Sequence, residues 1–262
     1  MLDRAHLREH GYVVVEQAVE RAHVDALLSV LREHAGLDVG DPSTWDIGRF
    51  SPPIWGHQAQ WDVRQHPRVH AAFAEAYEGR HGLLVSVDGM GFKPPEEVAA
   101  TRAAAALPIH WDLDPRGDLR VFQGVLYLTD VAADQGAFCG VPGLFADLDG
   151  WIERHPGAGN EDVDLEDHEV VPVPARAGDL VIFDSRLPHG NGVNRARSPR
   201  AAQYLNYVPA TPDAAAETAR LYRTGEAPAY LRGRPGWDRP QPWPPARLSP
   251  LGRRLAGLDA WS

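Results

Sequence analysis

The sequence predicts an all-β core, either a closed barrel or two facing antiparallel sheets, with α-helices packed around it. Short runs rich in Val, Leu, Ile and aromatic residues follow one another from residue 83 to 208. Gly, Pro or Asp stands at most of the joints between them. No long helical period separates the runs, apart from a short one near 144–154. A chain of 262 residues buries about 70–75% of its unfolded surface, so it needs neither disulfide nor metal merely to fold. It reads as one domain. Residues 1–82 form a mainly helical N-terminal support, 83–208 the β core, and 209–262 C-terminal helices with a Pro/Trp-rich cover.

Taken in order, an apolar run at Tyr12–Val15 precedes a helix over 20–35, where Val24, Leu27, Leu28 and Leu31 recur at helical spacing. Gly36 ends it. A loop rich in Pro and Trp follows, with Trp45, Trp55 and Trp61. A second helix over 67–79 opens with Pro67 and sets Val69, Phe73, Ala76 and Tyr77 on one face. Strands are predicted at 83–93, 105–112, 119–129, 137–142, 168–173, 179–184 and 201–208. The C-terminal part predicts a helix over 213–223, a Pro/Arg/Trp-rich segment over 225–246, and a short helix ending near Leu258.

Lys+Arg 26 against Asp+Glu 36 leaves a net charge of −10, which argues against a nucleic-acid or anionic-membrane surface. The lone cysteine, Cys139, excludes an internal disulfide and reads as a small buried hydrophobe in a reducing compartment. The first fifteen residues lack a long apolar stretch, so no secretory signal and a cytoplasmic location are expected. Lys93 is the single lysine among 26 basic residues. That marks it as a position where an ammonium is wanted, with genome composition the plainer explanation.

Most of the twelve histidines lie in helices or polar loops, as solvated residues do. His66 and His70 stand four apart, a metal-compatible spacing without an evident third ligand. His110 and Asp112 differ: they flank Trp111 at a predicted strand end, and residues i and i+2 of a strand share a face. An imidazole and a carboxylate thus project together, while Trp111 faces away and packs. Asp114 shares their parity but lies nearer the turn at Pro115. The apolar strand 179–184 runs straight into Pro188-His189-Gly190-Asn191, placing His189 at a strand exit. Arg200 then opens another apolar strand. Two imidazoles and one carboxylate on one side of a metal form the facial triad of non-haem Fe(II) oxygenases. An arginine deeper in the same barrel suits the far carboxylate of a dicarboxylic co-substrate. His₂Asp also suits Zn²⁺, so a zinc-dependent cupin-type hydrolase or isomerase stays open, as does a non-catalytic jelly-roll binding module.

Several stretches carry a resemblance: Gly91-Phe92-Lys93-Pro94-Pro95, His110-Trp111-Asp112, the run from Phe122 to Asp130, and Gln135-Gly136-Ala137-Phe138. To these add Val141-Pro142-Gly143, Gly178-Asp179, Pro188-His189-Gly190-Asn191 and the tail from Leu248 to Leu255. The chain resembles the phytanoyl-CoA dioxygenase family of Fe(II)/2-oxoglutarate-dependent oxygenases. That resemblance implies a double-stranded β-helix, or jelly roll, with His110, Asp112 and His189 as iron ligands and Arg200 as the 2-oxoglutarate anchor. It implies Fe(II), 2-oxoglutarate and O₂ as cofactors and a small organic molecule as substrate. Hydroxylation is the default outcome, with desaturation or ring formation open to the same chemistry, and Asp112 argues against halogenation, since related halogenases lack that carboxylate. The likeness to bacterial members suggests natural-product tailoring. Asn191 stands where many members place a small hydroxyl residue against the co-substrate. Gln123 is a candidate for the same contact or for the strand's outer face, and Lys93 for an anionic group inside. Arg195 and Arg197 read as exposed loop charge. The expected pocket walls are the Trp-rich loop at 45–61 and the segment bearing Trp237 and Trp243.

Overall fold

The run Leu180-Val181-Ile182-Phe183 has no polar face, and the computed structural model shows why; it describes residues 2–45, 52–86, 88–98, 107–161 and 163–261. Its elements are α1 (Arg4–His10), β1 (Tyr12–Val15), α2 (Arg21–Ala35), α3 (Gln58–Arg64), α4 (Pro67–Ala76), β2 (Leu83–Ser86) and β3 (Met90–Lys93). They continue with β4 (Leu107–His110), β5 (Phe122–Tyr127), β6 (Phe138–Gly140), α5 (Pro142–Ala146), α6 (Leu148–Arg154) and β7 (Val171–Val173). The last are β8 (Leu180–Asp184), β9 (His189–Asn191), β10 (Arg200–Pro209), α7 (Pro212–Thr224) and α8 (Pro250–Leu255).

Two antiparallel sheets form the jelly roll. The larger runs β1-β8-β5-β10-β2, with β3 also paired to β10; the smaller runs β4-β9-β6-β7. Both faces of the larger sheet are covered. Leu180 and Ile182 of β8, Leu126 of β5 and Leu205 and Tyr207 of β10 pack outward with Leu27, Leu31 and Phe73 of the helices. The alternate residues Val181, Phe183, Val125, Tyr127 and Ala202 turn inward, toward Phe138 and Val173 of the smaller sheet. Continuous apolar runs are what a sheet buried on both sides requires. Phe73 is fully buried and stacks on Tyr207 at 4.2 Å. Phe73→Ala is expected to cost ~3–5 kcal/mol, read from the urea unfolding midpoint.

The structure departs from the sequence expectation at several joints. Helix α1 has one buried residue, Leu7, too little periodicity to show in sequence, yet Asp3 caps it and Gly11 closes it with φ 77°. Helix α3 interrupts the Pro/Trp-rich loop through a capping box between His57 and Gln60. The 83–93 run divides into β2 and β3, which pair with opposite halves of β10. The helix near 144–154 is two, with Asp147 between them. Residues 105–106 of the expected strand and 46–51 of the Trp-rich loop lie outside the described residues. His189 does not end the strand before it: it opens β9 in the opposite sheet, after a turn in which Leu187 N–H donates to Asp184 O at 2.9 Å. A three-residue strand containing Gly190 leaves no alternation to read. Among the described residues no helix is long and apolar enough to cross a membrane.

Candidate active site

His110 closes β4 and His189 opens β9, and they face each other across the ladder with ring centroids 4.7 Å apart. Each ring is oriented by its own backbone. His110 Nδ1 donates to Pro108 O at 2.9 Å and His189 Nδ1 to Leu187 O at 3.0 Å. A carbonyl only accepts, so both hydrogens sit on Nδ1 and both Nε2 lone pairs point elsewhere. They point at one carboxylate: His110 Nε2 is 3.5 Å from Asp112 Oδ1, and His189 Nε2 is 3.5 Å from Asp112 Oδ2. Asp112 lies two residues past the end of β4. Gln123 of β5 donates to Asp112 Oδ2 at 2.7 Å, neither on the outer face nor free to turn. Burial alone would raise the Asp112 carboxyl, but without a metal the rings take up a second proton on Nε2, and these imidazolium donors with the Gln123 amide hold the carboxyl far below the usual carboxylate range. For His110, burial is outweighed by Asp112 and the Pro108 carbonyl, and its pKa rises.

Three groups among the described residues gather His and acidic ligand atoms within 4.8 Å: Glu20/His23/His66, Asp147/Glu166/His168 and His110/Asp112/His189. Ring chemistry separates them. His66 Nδ1 accepts from the Arg68 N–H at the start of α4, so its hydrogen sits on Nε2, which donates to Glu20. Arg154 already bridges Asp147 and Glu166 at 2.7 and 2.8 Å. Only His110 and His189 present two lone pairs, each with the other ring nitrogen tied to a carbonyl, as metal-ligating histidines do. His70, four residues from His66, spends Nε2 on His81 O.

Arg200, the first residue of β10, is 1% exposed. Its Nη1 donates to Asn191 Oδ1 at 2.6 Å, and its guanidinium lies 5.4 Å over the Tyr127 ring. Its Nε and Nη2 are buried without a well-formed hydrogen bond among the described residues, with Tyr204 beside the guanidinium. Such donors are costly unless something anionic meets them. Lys93 is the cross-strand partner of Arg200 and is equally buried. Burial, then the adjacent guanidinium, pushes its ammonium down to about 8. Gly136 makes room for it: at φ +66° it is the turn residue a Cβ would place 2.5 Å from Lys93 Cδ. Gly136→Ala is therefore expected to destabilise by ~1–3 kcal/mol through the strained φ and to displace Lys93, as read from the melting temperature.

The triad opens into a cavity of about 300 Å³ that also exposes Gln123, Asn191, Tyr204, Asp88, Asn206 and Trp237. It joins a second space of about 440 Å³ through Asp88, Asp112, Gln123, Asn206, Leu231 and Arg234. Asp88, Tyr204 and Asn206 carried no sequence signal; only strand parity along β10, shared with Arg200, pointed at the last two. Burial first, and Asp112 nearby, raise the Asp88 carboxyl to about 6. Of the expected tryptophan walls, Trp237 lines the cavity and Trp55 stacks behind it at 4.7 Å. The others pack elsewhere: Trp45 donates to Asp38 O, Trp61 meets Ala246 and Ala256, and Trp243 sits against His34 and His57. Trp111 faces away from the triad, buried with Leu144 and Trp151. Asp114 closes a turn to Arg116 N and pairs with the Arg116 guanidinium, Cys139 is buried, and Arg195 and Arg197 are exposed.

Comparison with solved structures places this fold in company. GlcNAc Inducible Gene 2 (GIG2) of Candida albicans superposes with a TM-score of 0.74 at 14% identity, over 99% of this chain and 76% of that one. The epimerase SnoN from nogalamycin biosynthesis, described as non-heme and alpha-ketoglutarate-dependent, gives 0.60 at 20% identity, over 94% and 93%. It has also been solved with Fe³⁺ and alpha-ketoglutarate. AviO1 of Streptomyces viridochromogenes Tue57 gives 0.54 at 22% identity, over 81% and 98%. At these identities the likeness is one of fold. No curated protein sequence matches the chain. The family model of phytanoyl-CoA dioxygenase (PhyH) matches residues 7–202, a span that holds both histidines, Asp112 and Arg200. With most of its 262 residues matched, the chain belongs to the phytanoyl-CoA dioxygenase family.

Proposed function

We propose that this protein is an Fe(II)- and 2-oxoglutarate-dependent dioxygenase that hydroxylates a small organic molecule, in the tailoring of a natural product. One observation carries the reading: two carbonyl-oriented imidazoles converge on one carboxylate in the same barrel as a buried, partly unpartnered arginine. The family match and the SnoN complex with Fe³⁺ and alpha-ketoglutarate support it. A zinc hydrolase or a binding module has no use for Arg200 kept buried with two open donors.

In this reading His110, Asp112 and His189 hold the iron, and Gln123 fixes the carboxylate's orientation from behind. Arg200, positioned by Asn191 and Tyr127, receives the far carboxylate of 2-oxoglutarate, and Lys93 adds a second positive charge beside it. Iron bound there supplies, with O₂ and 2-oxoglutarate, the oxidising power for a C–H bond, with succinate and CO₂ as co-products. Residues 1–82 and 209–262 serve as support and cover for one catalytic domain.

The test is optical. Anaerobic protein given Fe(II) and then 2-oxoglutarate is expected to develop a weak visible charge-transfer band. Protein that stays colourless, or that colours equally with Zn²⁺ in place of iron, sinks the proposal. Lys93 adds a pH signature. Its pKa is depressed, so at neutral pH it is charged, and it loses its proton as pH rises through about 8. The KM for 2-oxoglutarate is expected to rise with pH across that value, and Lys93→Met should remove the dependence. Folding stability moves oppositely. Between about 8 and the ordinary lysine value the unfolded chain binds more protons than the folded one, so this residue makes stability climb with pH there.

A further inference from the structure

The inner face of the larger sheet carries a polar row beside the triad: Ser86, Asn206 and Gln123 are register partners on adjacent strands. Asp88 lies against this row. Its Oδ2 accepts from Asn206 Nδ2 at 3.0 Å and its Oδ1 from Gly89 N at 2.8 Å. Among the described residues no ion pair reaches the carboxylate. Arg64 passes beneath it but spends Nη2 on the Asp88 carbonyl and Nη1 on Trp55 O, both at 2.6 Å. A carboxylate accepts about four hydrogen bonds, so two accepting directions stay open. Gln123 has the same bias: its amide N–H is committed to Asp112, while its Oε1 is buried with no partner. Asp88 and Gln123 thus offer acceptors to the cavity, beside the Arg234 guanidinium, which lines the same space and lowers the Asp88 carboxyl without pairing with it. The other cavity walls include Leu231 and Trp237, with Leu113, Val121 and Val208 farther out.

We propose that the cavity selects a molecule that joins an apolar ring or chain to a hydrogen-bond donor, an ammonium or a hydroxyl, and that Asp88 receives this donor with Gln123 Oε1 as a second acceptor nearer the triad. Calling that molecule the substrate rests on the proposed function; its recognition chemistry does not. A donor bound at Asp88 lies in the cavity that His110, Asp112 and His189 also line, so the group fixes which part of the apolar body faces the triad. Open acceptors at Asp88 and Gln123 discriminate against an analogue lacking the donor, because they are then left unmatched.

Calorimetric titration of the purified protein with 2-(1-naphthyl)ethylamine, 2-(1-naphthyl)ethanol and 1-ethylnaphthalene tests this, since the three share one apolar body and differ in the donor. At least one of the first two is expected to bind about tenfold or more tightly than 1-ethylnaphthalene. Asp88→Ala should bring all three to the same affinity. Asp88→Asn, nearly the same shape, keeps an accepting oxygen but no charge. It should preserve an advantage that comes from the hydroxyl and remove one that comes from the ammonium, and it carries the test should Asp88→Ala not fold. Equal affinities in the wild type, absence of binding by all three, or a donor advantage that survives in Asp88→Ala overturns the proposal. Failure of the iron and 2-oxoglutarate reading shows separately, as a missing visible band, and leaves the titrations as they are.

Discussion

His189→Ala is expected to abolish succinate formation from 2-oxoglutarate while the protein stays folded. A metal at the triad needs three donors already held in place, and His189 supplies one whose ring is set by the Leu187 carbonyl. Water can fill the vacated position but is not held there, so binding of Fe(II) and turnover both fail. The fold does not depend on the ring. β9 is kept by its backbone ladders to β4 and β6, and the imidazole's own packing is against Phe183 and Phe138, at 4.6 and 5.8 Å. Losing that packing costs roughly 1–3 kcal/mol, a small part of what a core of this size supplies. His110→Ala and Asp112→Ala should behave alike, with milder effects on melting because both are more exposed. Succinate yield, anaerobic Fe(II) binding and the melting temperature measured together decide the matter. Wild-type succinate from any of the three variants would show that the ligand assignment is wrong.

The second large effect is expected on co-substrate affinity. Arg200→Met should raise the KM for 2-oxoglutarate by about 10²-fold to a few times 10³-fold, since breaking a buried charged pair costs ~3–5 kcal/mol and each ~1.4 kcal/mol is tenfold. The lower end is the better expectation, because Lys93 remains beside the orphaned carboxylate. Arg200→Lys keeps the charge but loses the planar fork and the stacking over Tyr127, so it should recover only part of the affinity. Asn191→Ala frees Arg200 Nη1 and should raise KM more modestly. Steady-state rates against 2-oxoglutarate concentration at saturating Fe(II) give these values. A KM unchanged in Arg200→Met would move the anchor to Lys93.

Local chemistry explains which parts of the site could be read from the sequence. His110 and Asp112 are two residues apart, so their shared face follows from strand parity, and the structure brings both to His189. Lys93 stood out as the only lysine, and it is indeed buried beside Arg200. Gln123 could be placed on a core strand, but its partner, Asp112, comes from another sheet after a loop. Nothing local to either residue encodes that meeting. The tryptophans misled for a related reason. Trp55, Trp61 and Trp243 have the composition of a pocket wall, but large aromatic surfaces pack wherever the fold leaves room, and only Trp237 reaches the cavity. Asp88 was silent because it falls inside the single strand predicted over 83–93, which only the structure divides into β2 and β3.

What the sequence by itself determined was therefore the short-range grammar: strands and helices by their period, helix ends by their caps, and a His-x-Asp pair that must share a side. The tertiary structure alone decided that β9 crosses to the opposite sheet, that two Arg200 donors lack a well-formed hydrogen bond among the described residues, and that no ion pair among them reaches Asp88 where it meets the cavity. Parity and capping act over a few residues and so leave a trace in the chain. Burial, desolvation and unmatched hydrogen bonds depend on what packs against a group from far along the chain, and that is set only when the two sheets close on each other.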